Sequence, residues 1–207
     1  MIFYKQITLK MKRFILTALS IACSVFTFGQ TPVTKTLDSL FNALHQKKSF
    51  NGNVLIAEKG NVVFEKSYGF ADESSKRKLN ASSIFELASV SKQFTAMGVF
   101  LLEKQGKLKY DDKLSKYFPE LSFYEEITIA NLLNHTSGLP DYMELFEEKW
   151  DKSKFATNQD IVALFSIHKP KLIFKPNEKF EYSNTGYALL GLIIEKASKM
   201  SFEDYLK

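Results

Sequence analysis

Two segments of this 207-residue chain, 89–105 and 187–199, are too apolar to lie on a protein surface. In the first, Val90, Phe94, Met97, Val99, Phe100, Leu101 and Leu102 leave few polar positions before Gly106. A helix that is apolar on most sides must be buried, and a glycine just past its end is a stop signal. Two such helices need further elements around them. Leu37, Leu40, Phe41 and Leu44 recur at helical spacing and give a short amphipathic helix. Residues 54–57 and 62–64, joined across Lys59, Gly60 and Asn61, read as a β-hairpin followed by a polar loop over 72–80. Thr128 caps a short helix carrying Ile129, Leu132 and Leu133, and Thr157 with Asp160 forms a capping box before Ile161, Leu164 and Phe165. Pro176-Asn177 is a turn. Strands early and helices later predict an α/β (α+β) chain with its strands at one end, without internal repeats.

The charge is unevenly placed. The chain holds 28 Lys+Arg against 23 Asp+Glu, a formal +5. Lys5, Lys10, Lys12 and Arg13 sit in residues 1–29 without an acid, so the remainder has 24 basic and 23 acidic residues. A basic start, the apolar run 14–28, and small Thr27 and Gly29 predict a signal peptide over 1–29, with Met11 an alternative start. The protein is then exported, periplasmic or extracellular. Cys23 offers a second reading, a lipid anchor that would associate the chain with a membrane. A near-neutral mature part gives no support to a nucleic-acid partner. The single Cys excludes an internal disulfide framework, and the three His share no metal-ligand spacing. No cofactor is implied.

Chemistry concentrates at Ser89-Val90-Ser91-Lys92. Residues i and i+3 share a helical face, so the Lys92 amine can reach the Ser89 hydroxyl. Serine is a weak nucleophile that needs a nearby base, and a lysine in apolar surroundings loses its preference for the charged form. A second Ser-x-x-Lys, Ser75 to Lys78, lies in a polar loop, so the spacing alone also fits a helix cap with a surface lysine. Taken singly, Tyr182 reads as a packed aromatic, Asn184 as a cap, His135 as a structural residue closing a short helix, and Asp111-Asp112 as a turn.

The combined pattern changes this. Residues 85–96, Phe-Glu-Leu-Ala-Ser-Val-Ser-Lys-Gln-Phe-Thr-Ala, resemble the nucleophile helix of the serine β-lactamase and penicillin-binding-protein superfamily. Residues 132–140, Leu-Leu-Asn-His-Thr-Ser-Gly-Leu-Pro, resemble a segment of its class C-like branch, and Tyr182-Ser183-Asn184 resembles its Tyr-x-Asn motif. The resemblance runs from about Leu37 to the end and implies a β-lactamase/transpeptidase-like fold over 30–207. It implies Ser89 as acylated nucleophile, Lys92 taking or relaying its proton, Tyr182 as second member of the base system, and Asn184 bonding Lys92 and the substrate amide. It also implies an oxyanion donor in the Ser89 N–H.

The superfamily's third motif, Lys-Thr-Gly or His-x-Gly on a late strand, is not in the chain. Ser201 starts a last helix that stops at Lys207, and a two-stranded hairpin rarely stands alone. The expectation is therefore the N-terminal part of an exported serine hydrolase acting on a small-molecule or peptide substrate: a β-lactam, a D-alanyl peptide or an ester. The alternative is a non-catalytic or truncated envelope protein that keeps the fold as a binding module.

Overall fold

The computed structural model describes residues 32–207. The expected signal peptide over 1–29, with Cys23, lies outside them. The described residues divide along the chain into two compact units, one ending at Phe85 and the other beginning at Glu86.

In the first unit, helix α1 (Pro32–Gln46) precedes an antiparallel hairpin, β1 (Gly52–Glu58) and β2 (Asn61–Tyr68). The connecting residues Lys59 (φ 51°) and Gly60 (φ 81°) are both left-handed, as the tight turn between twisted strands requires. Phe41 of α1 meets Phe50, Phe64 and Tyr68 at ring-centroid distances of 5.2, 6.3 and 5.8 Å, which seats the helix on the hairpin. The polar stretch after it holds a second small hairpin, β3 (Phe70–Asp72) and β4 (Arg77–Lys78).

The second unit is helical. A 3₁₀ turn (Ala88–Ser91) leads into α2 (Lys92–Lys104), followed by α3 (Leu114–Tyr117), α4 (Ile129–Leu133), α5 (Tyr142–Lys149), α6 (Asn158–His168), α7 (Asn184–Ser198) and α8 (Phe202–Leu206). The second apolar segment is the centre of the unit: Leu189, Leu190, Leu192, Ile193 and Ile194 of α7 are all buried. The first differs from its reading as a helix buried all round. α2 buries Thr95, Gly98, Val99 and Leu102, while Phe94, Met97, Phe100 and Leu101 are 42–54% exposed among the described residues. α7 and α8 cover one face of α2 only; Gly98 lets Ile194 and Tyr205 approach it closely.

The loop after α4 is fixed by polar contacts. Thr128 and Asn131 form a capping box at the start of α4, the third capping residue being Asn rather than an acid. Asn131 is 2% exposed. Its Oδ1 accepts from the Thr128 backbone N–H at 3.0 Å and from the Thr128 hydroxyl at 2.9 Å. Its Nδ2 donates to Asn177 Oδ1 at 2.7 Å and Thr136 Oγ1 at 3.2 Å. All of its hydrogen-bonding capacity is thus used to tie α4 to the turn at Pro176-Asn177, where Asn177 takes φ 68°. Three backbone bonds continue the seam: Ile173 N–H to Gly138 O, Asn177 N–H to Thr136 O and Glu181 N–H to His135 O, each 2.9 Å. Gly138 is required there. Its φ is +72°, and a Cβ would overlap the Phe174 carbonyl oxygen. Asp112 is a turn residue, accepting from the Lys109 N–H, the Tyr117 hydroxyl and Lys116.

The two faces of α2 give a direct test. Leu102→Ala is expected to lower unfolding free energy by about 2–5 kcal/mol, the range for a buried leucine. Phe100→Ala, at 46% exposure, is expected to cost under about 1.5 kcal/mol. Urea denaturation of both variants measures this; equal losses would contradict the assignment of the faces.

Candidate active site

The four residues singled out from the sequence come together in the second unit, although nearly half the chain separates them. Ser89 lies not in α2 but in the 3₁₀ turn before it. Three residues per turn eclipse positions i and i+3, which places Lys92 directly against Ser89. Ala88, just before the serine, is held at φ +46°, a strained conformation for a residue with a Cβ. The Ser91 hydroxyl donates to the Ala88 carbonyl at 2.6 Å and braces this corner.

Tyr182 and Asn184 arrive from the other side, on the segment that starts α7. Ser183 between them is its N-cap: its hydroxyl accepts from the Gly186 N–H at 3.0 Å. This fixes which way the flanking side chains leave the backbone. Lys92 Nζ donates to Ser89 Oγ at 3.1 Å and to Asn184 Oδ1 at 2.9 Å. The Tyr182 hydroxyl donates to Ser89 Oγ at 2.7 Å. Ser89 Oγ therefore faces two potential proton acceptors at once.

The surroundings of Lys92 are not apolar, contrary to the expectation. The side chain is half-buried and lies beside two aromatic rings, with Nζ 4.8 Å from the Tyr182 ring centroid and 5.7 Å from that of Tyr187. Two tyrosines thus flank one amine, and their environments drive them apart. Lys92, and after it the hydrogen bond to Ser89, holds the Tyr182 phenol below its ordinary range. Burial, and then the neighbouring Tyr182, pushes the Tyr187 phenol up. Tyr187 donates its hydroxyl to the Leu133 carbonyl at 3.1 Å and so serves the packing of α7 on α4.

Two residues that the sequence reading left outside the site belong to its frame. Asp141 Oδ2 accepts from Asn184 Nδ2 at 3.2 Å, which turns the amide so that its carbonyl oxygen faces Lys92. The same carboxylate caps α5 at Met143 through Oδ1, at 2.9 Å. Thr185 Oγ1 donates to the Pro140 carbonyl at 2.7 Å and accepts from the Tyr142 N–H at 2.9 Å, so this loop is docked on the start of α7. His135 is the second. Its Nδ1 accepts from the Ser183 N–H at 3.0 Å, and its ring lies against Tyr182 and Tyr187. Position immediately after Leu139-Pro140 is the only sequence signal for Asp141.

Ser89 and Tyr182 are exposed, Tyr182 to 49%. A cleft of about 470 Å³ reaches Lys92 and Asn184 from the side of Thr95, Gly191 and Glu195, but Ser89 and Tyr182 do not line it. Arranged this way, a hydroxyl, a phenol held acidic, an amine and an amide form the set that acyl transfer needs.

Comparison with known proteins agrees with the motifs. Over 173 residues the chain is 51% identical to penicillin-binding protein 4* of Bacillus subtilis, covering 84% of this chain and 38% of that protein. Its fold matches the penicillin-binding protein homologue from Pyrococcus abyssi with a TM-score of 0.69 and 30% identity, over 85% of this chain and 41% of the other. The D-amino acid amidase from Ochrobactrum anthropi SV3 aligns with a TM-score of 0.63 and 32% identity, over 78% and 44%. The chain spans less than half the length of each. Residues 37–207 match the Beta-lactamase family, and with the β-lactamase/transpeptidase-like fold in place the chain belongs to that family, within the serine β-lactamase and penicillin-binding-protein superfamily.

Proposed function

We propose that this protein is an exported serine hydrolase that works through an acyl-enzyme on Ser89, with β-lactams, D-alanyl peptides or small esters as substrates. One observation carries the reading: Ser89 Oγ lies within hydrogen-bond reach of both Lys92 Nζ and Tyr182 Oη, brought together from 93 residues apart. The penicillin-binding relatives and the D-amino acid amidase support the substrate class.

In the proposed cycle Tyr182, as phenolate beside the Lys92 ammonium, takes the Ser89 proton as Oγ bonds to the substrate carbonyl carbon. The carbonyl oxygen becomes an oxyanion, stabilised by the Ser89 N–H. Collapse breaks the bond to the leaving nitrogen or oxygen, which receives the proton from Tyr182. Water then attacks the ester; Tyr182 takes its proton and returns it to Ser89 Oγ as the acid leaves. Lys92, anchored by Asn184, lowers the free energy of the phenolate. The remaining hydrogen of the Asn184 amide is available to a substrate carbonyl. General-base assistance of this kind contributes about 10²–10⁴-fold.

Hydrolysis of a chromogenic cephalosporin, a D-alanyl-D-alanine peptide and a nitrophenyl ester by the full-length protein tests the reading. At least one is turned over, and Ser89→Ala abolishes that turnover. Tyr182→Phe lowers kcat/KM by about 10²–10⁴-fold. The pH dependence has a definite sign. Because Lys92 holds the phenol down, the rate rises with pH and levels off below the ordinary phenol value of about 10. Lys92→Met moves that rise to higher pH. Turnover that survives Ser89→Ala, or a Lys92→Met profile displaced to lower pH, would contradict the mechanism.

A further inference from the structure

Residue 135 holds both backbone N–H groups that flank Tyr182. The Glu181 N–H donates to the His135 carbonyl oxygen at 2.9 Å, and the Ser183 N–H donates to His135 Nδ1 at 3.0 Å. The imidazole lies against the phenol ring at a centroid distance of 4.8 Å and an interplanar angle of 28°, and against Tyr187 on its other contact at 5.0 Å and 30°. Phe180 closes the edge at 5.7 Å. Tyr182 itself is half exposed, and its hydroxyl meets Ser89 and Lys92 only at the tip of the ring. Below that tip its place depends on what grips its backbone and ring, and His135 does both. The residue adopts φ +58° to do so, a left-handed conformation that brings carbonyl and ring to the same strip of chain.

We propose that His135 is the positioning residue of Tyr182 and an acid-sensitive one: the neutral ring, protonated on Nε2, holds the phenol against Ser89, and protonation of Nδ1 releases it. This rests on the reading of Ser89 and Tyr182 given above. The chemistry follows from the donor count. A neutral imidazole has one donor and one acceptor nitrogen, and here Nδ1 is the acceptor. In the imidazolium both nitrogens are donors, so a second N–H would face the Ser183 N–H at 3.0 Å, and the hydrogen bond is lost. Among the described residues no carboxylate is paired with the ring to offset this. The groups around it are the Lys92 ammonium, the phenols of Tyr182 and Tyr187, and Glu181, whose carboxylate is paired with Lys179 at 2.7 Å. Burial, and then Lys92, holds the imidazole below its ordinary value. The sign is therefore fixed. His135 is neutral and the grip intact at neutral pH; the grip is lost as pH falls from the ordinary imidazole value of about 6.5 through the lower value in the folded protein.

Two measurements on the full-length protein test this. The first is the rate of Ser89 labelling by a fluorescent penicillin or a fluorophosphonate between pH 4 and 9. In the wild type the rate falls with one proton while Tyr182 titrates and with two below the His135 midpoint. His135→Asn and His135→Gln each carry a side-chain oxygen that can accept, but neither titrates, and Asn tolerates the left-handed backbone. In both variants the second proton disappears from the profile, and the neutral-pH rate drops about 10–100-fold as the ring contact is lost. The second measurement is hydrogen exchange of the Ser183 amide in Ser89→Ala protein, where no chemistry occurs. Its protection falls at the His135 midpoint while that of Glu181, bonded to the backbone oxygen, persists longer. A two-proton fall that survives in both variants, or a Ser183 amide indifferent to His135, overturns the proposal. Absence of label at every pH would bring down the Ser89 reading instead, and the amide exchange would still decide for or against the grip of His135.

Discussion

The hydrogen bond from Lys92 Nζ to Asn184 Oδ1, 2.9 Å long, joins the first residue of α2 to the first residue of α7. Everything in the site hangs on that junction. It sets the amine where the N-termini of α2 and α7 meet, with the 3₁₀ turn delivering Ser89 on one side and the Ser183 cap delivering Tyr182 on the other. The amide orientation on which it depends is held by Asp141, which is in turn held by the start of α5. A flipped Asn184 amide would present its NH₂ to an ammonium and turn an attraction into a repulsion.

Electrostatics then separates two chemically identical tyrosines. Tyr182 and Tyr187 both lie within 6 Å of the same amine, measured to the ring centroids. Tyr187 is tied to the Leu133 carbonyl and burial keeps its proton on. Tyr182 is outside, touching Ser89, and Lys92 favours its ionised form. Groups whose environments push their proton affinities apart are the usual mark of an acid–base assignment. In the proposed cycle this favours Tyr182 as the proton acceptor, with Lys92 beside it, over Lys92 as the acceptor, one of the two roles the motif implied.

Much of this was legible in the sequence, for local reasons. The Thr128 and Thr157 caps, the left-handed Asn177 and the hairpin over Lys59-Gly60 all follow from side chains acting on their own backbone. The four side chains that meet, Ser89, Lys92, Tyr182 and Asn184, stand out in the sequence because three motifs in order are far more specific than any one. What was not legible depends on contacts distant in sequence. His135 reads as a structural residue because nothing near it in the chain reveals that residues 181 and 183 bond to it. Asp141 draws no notice in the sequence for the same reason: its partner Asn184 is distant in the chain. The strained Ala88 has no sequence signature, since the geometry is imposed by the serine corner. The half-exposed face of α2 was misread because apolar composition states that a face avoids water, not which element covers it. The leader at 1–29 remains an expectation from composition.

The central claim is that Ser89 Oγ is the nucleophile of this cluster. Its most direct test is the mass of the adduct formed when the full-length protein meets a fluorescent penicillin or fluorophosphonate, mapped by peptide mass spectrometry. The account predicts a single adduct, on Ser89 and not on Ser75, Ser91 or Ser183. An adduct on another residue, or none, would contradict it.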